Sequence, residues 1–183
     1  MHSAGAGTGW PYLDIGTQIE WQPLVEYALR LCNRWHFGMF DRAGRPYAEH
    51  PIEVARRVWE ATNDPAAQCV ALLHDTIEDT EMPSDLLMAF PEPVQLGVWA
   101  MTRGDDESAN AYISRVLEDR LACKVKVHDI EHNFSPMRAD AKILAKASMY
   151  AGWHRECCAR LGIDRSFCAA NPEVQSSCEC TRC

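Results

Sequence analysis

The run His74-Asp75-Thr76-Ile77-Glu78-Asp79 packs one imidazole and three carboxylates into six residues. On a helix, positions three and four apart share a face, so His74 neighbours Glu78 and Asp75 neighbours Asp79. The run directly follows the apolar Val70-Ala71-Leu72-Leu73. One reading is a solvated acidic helix end. Against it, adjacent carboxylates at a helix C-terminus repel one another and oppose the helix dipole. A divalent cation offsets that cost, because neutral imidazole and carboxylate are natural ligands for manganese, zinc or iron ions. Other helices must supply the remaining ligands. His36 closes the first predicted helix, and Asp129 sits between Lys126 and Asn133 in a late one. His36, His74, Asp75 and Asp129 would offer two imidazoles and two carboxylates, with positions left for water and substrate.

Helical periodicity dominates the elements that would carry these residues. Thr17-x-x-Glu20 reads as a capping box, followed by Leu24, Ala28, Leu31 and Trp35 at helical spacing. Gly38, Gly44 and Pro46 make Phe37 to Glu49 a loop. A second helix carries Val54, Ala55, Val58 and Trp59; His50-Pro51 reads as its structural start. Asn63-Asp64-Pro65 is a stop followed by a start, and a third, central helix runs through Ala66, Cys69, Val70, Leu73 and Ile77. Pro83-Ser84 opens a short helix, and Val94 to Met101 forms another. Arg103 to Asp106 is a turn, and Tyr112, Ile113, Val116 and Leu117 form a further stripe. Lys124 to His128 alternates like a strand, but one strand has no partner, so a buried helix is expected. A last helix covers about Ala139 to Leu161. The tryptophans, Trp10, Trp21, Trp35, Trp59, Trp99 and Trp153, are expected in the core.

Four ordered blocks between Leu24 and about Trp153 resemble the hydrolase domain of the RelA/SpoT superfamily, especially its small single-domain alarmone hydrolases. They are His36-x-Gly38 with Arg42-x-Gly44-x-Pro46-Tyr47-x-x-His50-Pro51; Ile52-x-Val54-Ala55; Ala71-Leu72-Leu73-His74-Asp75-x-x-Glu78-Asp79-Thr80; and Lys126-x-x-Asp129-x-x-x-Asn133. The resemblance implies an all-α, HD-domain helical bundle. It implies one ion, usually manganese, held by His36, His74, Asp75 and Asp129, while His50 matches a position that is not a ligand. Glu78 and Asp79 would activate water, and Arg42, Lys126 and Asn133 would bind substrate, with Arg45 and Lys124 as further phosphate-neutralising candidates. The implied reaction removes the 3′-pyrophosphate of guanosine tetra- or pentaphosphate. Two departures stand out. Asp41 occupies the place of an arginine that helps hold the guanine base, which keeps open another nucleotide: a deoxynucleoside triphosphate, a monophosphate or NADPH. His128 and Glu131 are additions beside Asp129, either supporting it or facing solvent.

The 183 residues suit one domain with a sizeable core. With 47% hydrophobic and 24% charged residues the chain reads as globular. Expected boundaries are a flexible leader at 1–16, the hydrolase domain at 17–162 and a Cys-rich tail at 163–183. A net charge of −8 argues against nucleic-acid binding, and a small anionic substrate would need a local basic rim or a metal. Met1 to Gly9 lacks the features of a signal peptide and no apolar run reaches membrane length, so a cytoplasmic protein is expected; nothing fixes its oligomeric state. Of nine cysteines, Cys157, Cys158, Cys168, Cys178, Cys180 and Cys183 crowd the end. Cys178, Cys180 and Cys183 with Cys168 or His154 fit the structural-zinc spacing poorly, so a reduced tail is expected.

Overall fold

The computed structural model describes residues 19–165, and these are all helical apart from connecting turns. The elements are α1 (Trp21–Trp35), α2 (Glu49–Thr62), α3 (Pro65–Leu73), α4 (Thr76–Asp79), a 3₁₀ helix (Ser84–Ala89), α5 (Glu92–Met101), α6 (Ala109–Glu118), α7 (Arg120–Asn133), α8 (Ala141–Leu144) and α9 (Ala147–Leu161). No helix among the described residues is long and apolar enough to cross a membrane. The expected leader, most of the expected tail and the Cys168, Cys178, Cys180 and Cys183 thiols lie outside the described residues.

Local chemistry explains most boundaries. Asp64 caps α3, its carboxylate accepting from the Ala66 and Ala67 amides, with Pro65 in the first turn. Asn63 closes α2 in the left-handed conformation, at φ 49°. Asp119 and Ser108 cap α7 and α6 in the same side-chain manner. The loop before α2 turns back on itself: Gly38 and Gly44 both sit at φ 78°, and Phe40 pairs with Pro46 in a single antiparallel bridge.

Two helices form the interior. α3 packs against α1, α2, α5 and α7, and α7 packs against α2, α3, α5, α6 and α9. From Ala122 to His132, α7 is buried at every position but Lys124. A helix buried all round has no polar stripe, which is why its sequence alternates in no helical way.

Four expectations are corrected. Glu20 itself precedes α1 and makes no side-chain cap; Thr17 lies outside the described residues. The third helix stops at Leu73, and His74-Asp75 form a turn before α4. The last helix is broken at Ala145-Lys146 into α8 and α9. Trp153 is buried and Trp21 and Trp35 pack on the core, but Trp59 and Trp99 are exposed.

Candidate metal centre and its cavity

His74 stands at the end of the apolar α3, itself only 2% exposed. Its Nδ1 is 2.7 Å from the Ala71 carbonyl oxygen. A carbonyl only accepts, so Nδ1 carries the proton and Nε2 keeps a lone pair. That Nε2 is buried and has no hydrogen-bond partner. It faces Asp75 Oδ1 at 3.2 Å and Asp129 Oδ1 at 3.8 Å. Because α3 ends at Leu73, Asp75 lies in the turn, where it also approaches His50 Nε2, at 3.7 Å through Oδ2. Asp129, in the middle of α7, brings Oδ1 within 3.1 Å of the same His50 nitrogen.

His50, His74 and Asp129 are all buried and offer ligand atoms within 4.8 Å of one another. Asp75 borders both imidazoles. The donor set is therefore two nitrogens and two carboxylates around a buried lone pair, which fits a divalent cation. The electrostatics agree. Burial lowers the pKa of His74, but Asp75 and Asp129 overcome it and push it up to about 9. A field that holds a proton there also favours a metal cation. Burial would raise the pKa of Asp129, yet Lys126 and the two imidazoles hold it well below the usual carboxylate range.

His50 was read from the sequence as the structural start of α2, and its contact with Asp129 was not anticipated. Placed second in α2, it turns into the bundle and is 2% exposed. His36, expected as a ligand, follows α1 and is equally buried. Its ring lies 5.0 Å from that of Tyr47, and neither of its nitrogens has a hydrogen-bond partner. Burial lowers its pKa, while Asp75 nearby opposes the shift. His36 thus borders the cluster but lies outside the convergent His50–His74–Asp129 group.

The acidic pair stands beside this cluster. Glu78 Oε2 accepts from the Arg103 amide at 2.8 Å. Asp79 Oδ2 lies 2.7 Å from the Tyr47 hydroxyl, which is also 2.9 Å from Asp75 Oδ2. Desolvation at the cleft wall, then repulsion from Asp75, raises the pKa of Asp79; desolvation likewise raises that of Glu78. Tyr47 carries one proton for two carboxylates, so it can satisfy only one of them at a time.

The expected cationic contacts are redistributed. Lys126 is buried, with Nζ 2.9 Å from Asp129 Oδ2 and above the Tyr112 and Trp153 rings. Lys124 pairs with Asp64 on the far end of α3. Arg45 grips Asp41 through Nε and Nη2, and Arg138 approaches the same carboxylate at 3.5 Å. Asn133 donates to Asp129 Oδ1 at 2.7 Å. Arg42 is exposed, pairs with Asp140 at 2.6 Å and fronts a cavity of about 460 Å³. Phe40, Asn133, Arg138, Lys142, Lys146 and Tyr47 also line it. Tyr47 and Asn133 touch Asp75 and Asp129 respectively, so the cavity reaches the edge of the cluster. His128 and Glu131 do not face solvent. Glu131 instead joins His128, His154 and Arg165 between α7 and α9.

No family model matches the chain. By sequence it is similar to the GTP pyrophosphokinase of Streptomyces coelicolor, 33% identical over 124 residues that cover 62% of this chain. It is also similar to a probable guanosine-3′,5′-bis(diphosphate) 3′-pyrophosphohydrolase of Mycoplasma pneumoniae, 34% identical over 86 residues, or 46% of this chain. These matches span 15% and 12% of the respective relatives. Among solved structures, a metazoan ortholog of SpoT described as hydrolyzing ppGpp superposes with a TM-score of 0.62 at 20% identity, covering 84% of this chain and 94% of that one. The chain is thus similar in sequence to RelA/SpoT proteins through its middle, and it shares the fold of the SpoT ortholog over most of its length.

Proposed function

We propose that the chain is a metal-dependent phosphohydrolase that removes the 3′-pyrophosphate from guanosine tetra- or pentaphosphate. The observation that carries this reading is the buried, unpartnered Nε2 of His74, flanked by Asp75, Asp129 and His50 and bordered by an acidic pair. The pyrophosphohydrolase name of one relative and the ppGpp hydrolysis of the structural neighbour support the substrate.

In this reading His50, His74, Asp75 and Asp129 hold the ion, with manganese the first candidate, since the ligand atoms of His50, His74 and Asp129 converge. His36, whose buried ring nitrogens have no hydrogen-bond partner, is the competing imidazole. When bound, a divalent ion polarises a phosphoryl oxygen and makes water more acidic. The chain's own groups do the rest. Glu78, held by the Arg103 amide, and Asp79, held by Tyr47, orient a water molecule and accept its proton; burial raises both pKa values, which makes each a stronger base towards that water. Hydrolysis breaks the bond between the 3′ oxygen and phosphorus, releasing pyrophosphate and leaving GDP or GTP. Arg42 and Asn133, both on the cavity wall, meet the substrate. Lys126 acts one step back, by keeping Asp129 charged. A cytoplasmic setting goes with this reading, since the described cysteines are free buried thiols.

Asp41 favours a second reading to be tested alongside. Its carboxylate is committed to Arg45 and Arg138 and offers no cation to stack on guanine. The test gives the full chain Mn²⁺ and, in parallel, guanosine tetraphosphate, a deoxynucleoside triphosphate, a nucleoside monophosphate and NADPH, with products resolved. Pyrophosphate and GDP from the first, abolished by chelation, is the expected result. Preference for one of the others establishes the alternative, and turnover that survives rigorous metal removal overturns both.

A further inference from the structure

Phe40 is a large apolar side chain left in the open, 65% exposed and without an aromatic partner among the described residues. Its backbone is nevertheless fixed. Phe40 pairs with Pro46, and the Asp41 amide donates to the Arg45 carbonyl at 2.8 Å. The loop thus holds the ring on the wall of the cavity that Tyr47 and Asn133 join to the cluster. Ile143 and Tyr150 line the same cavity. A substrate with a phosphate at the cluster must send the rest of its length along this cavity. A planar base is the part that an aromatic and aliphatic wall receives.

The polar groups beside Phe40 are already engaged with one another. Asp41 Oδ1 accepts from the Ala43 and Arg45 amides, and its Oδ2 accepts from Arg45 Nε and Nη2. Arg45 Nη2 also donates to the Met137 carbonyl, and Arg42 is held by Asp140. A base lying on Phe40 therefore meets a flat apolar face, while the loop's hydrogen-bonding groups serve the turn. Every base has a π-face, so stacking is tolerant of base identity, and a purine covers more of the ring than a pyrimidine does. We infer that Phe40 is the stacking platform for the nucleobase, and that the site takes purine nucleotides with little discrimination between guanine and adenine; this rests on the phosphohydrolase reading above.

Steady-state kinetics of the full chain with Mn²⁺ test the inference on guanosine tetraphosphate and on its adenosine and cytidine counterparts. The two purine substrates should differ in kcat/KM by less than about 100-fold, whereas a site that hydrogen-bonds its substrate's polar groups rejects an analogue lacking them by roughly 10⁴- to 10⁵-fold. The cytidine compound should be the poorest of the three. Phe40→Ala should raise KM for both purines roughly 5- to 150-fold, as for one lost base stack, and change kcat less. Phe40→Trp keeps a stacking face and should recover most of that loss. Phe37→Ala removes another exposed ring, outside the cavity lining, and should leave KM unchanged. An unchanged KM in Phe40→Ala, or a preference for guanosine above about 100-fold in wild type, overturns the inference. The two levels separate in the wild-type chain: if it releases pyrophosphate from none of the three, the phosphohydrolase reading itself fails, and the inference falls with it.

Discussion

His36 and His50 are both buried near Asp75, and they differ in what their ring nitrogens meet. His50 Nε2 lies within 3.1 Å of Asp129 and 3.7 Å of Asp75, whereas His36 has Tyr47 as its ring neighbour. His50→Ala should therefore lower Mn²⁺ affinity roughly 100-fold or more, beyond the 10- to 100-fold typical of a supporting partner, and His36→Ala should cost less. Titration with Mn²⁺ ranks the two, and the reverse order would put His36 in the ligand set. His74 and Asp75 were legible because they adjoin in sequence and follow an apolar run. The contact of His50 with Asp129 was not legible, because a histidine before proline at a helix start has a sufficient structural reading. Lys126 misled in the opposite direction: a basic side chain suggests phosphate, but here it is shut in with Tyr112, Trp153 and Asp129. Glu131 gives a prediction apart from the site. Burial would raise its pKa, yet His128, His154 and Arg165 lower it from 4.5 to about 2. A depressed carboxylate stabilises the fold above its unfolded pKa, and that gain is lost as pH falls from about 4.5 towards 2. Urea unfolding across that window should show an acid-dependent loss of roughly 3 kcal/mol that Glu131→Gln removes. An unchanged slope in the variant would assign the acid sensitivity to other carboxylates.

At the scale of elements, the helical bundle was readable from period and caps, and the misreadings fall where tertiary contacts override local pattern. α7 looks strand-like between Lys124 and His128 because every side of it but one residue meets protein. α3 was expected to continue through Ile77, but ends at Leu73 so that His74 and Asp75 can both turn towards α7. The position of α3 thus matters to the site, and at Gly97 α5 packs closely against it. A Cβ on Gly97 would come within 2.8 Å of Val70 Cγ2 and 3.4 Å of Leu121 Cβ. Val70 is branched and stiff on its helix, so it yields poorly. Gly97→Ala should lose about 1–3 kcal/mol to overpacking, against a helix-propensity gain of about 1 kcal/mol. Val70→Ala creates room but removes buried methyl groups. The double variant should therefore be more stable than the sum of the single effects predicts, by roughly 0.5–3 kcal/mol in a denaturation cycle. Strict additivity would show that α5 can shift away from α3 without cost.

For the molecule as a whole, charge and cavity oppose one another. The chain carries a net charge of −8, which repels long polyanions in general. The cavity beside the cluster nevertheless gathers Arg42, Arg138, Lys142 and Lys146 against Asp41 and Asp140. Asp140 is engaged by Arg42, and Asp41 by Arg45 with Arg138 near. The two lysines of the α8 region therefore supply the excess positive charge of this rim. Neither lysine signals itself in sequence, because the rim is assembled by the return of α8 and the start of α9 across the loop before α2. Reversing both lysines, Lys142→Glu with Lys146→Glu, should raise KM for guanosine tetraphosphate roughly 10- to 100-fold while changing kcat less, since surface charges at this range act through an effective dielectric near that of water. The same argument fixes the salt response. Exposed charges a Debye length apart are screened, so KM for the wild-type chain should climb between about 0.01 and 0.15 M salt, and the doubly reversed variant should lose most of that climb or invert it. A KM indifferent to both lysines and salt would mean that the phosphates lie against the ion cluster alone and that the cavity receives the uncharged part of the nucleotide.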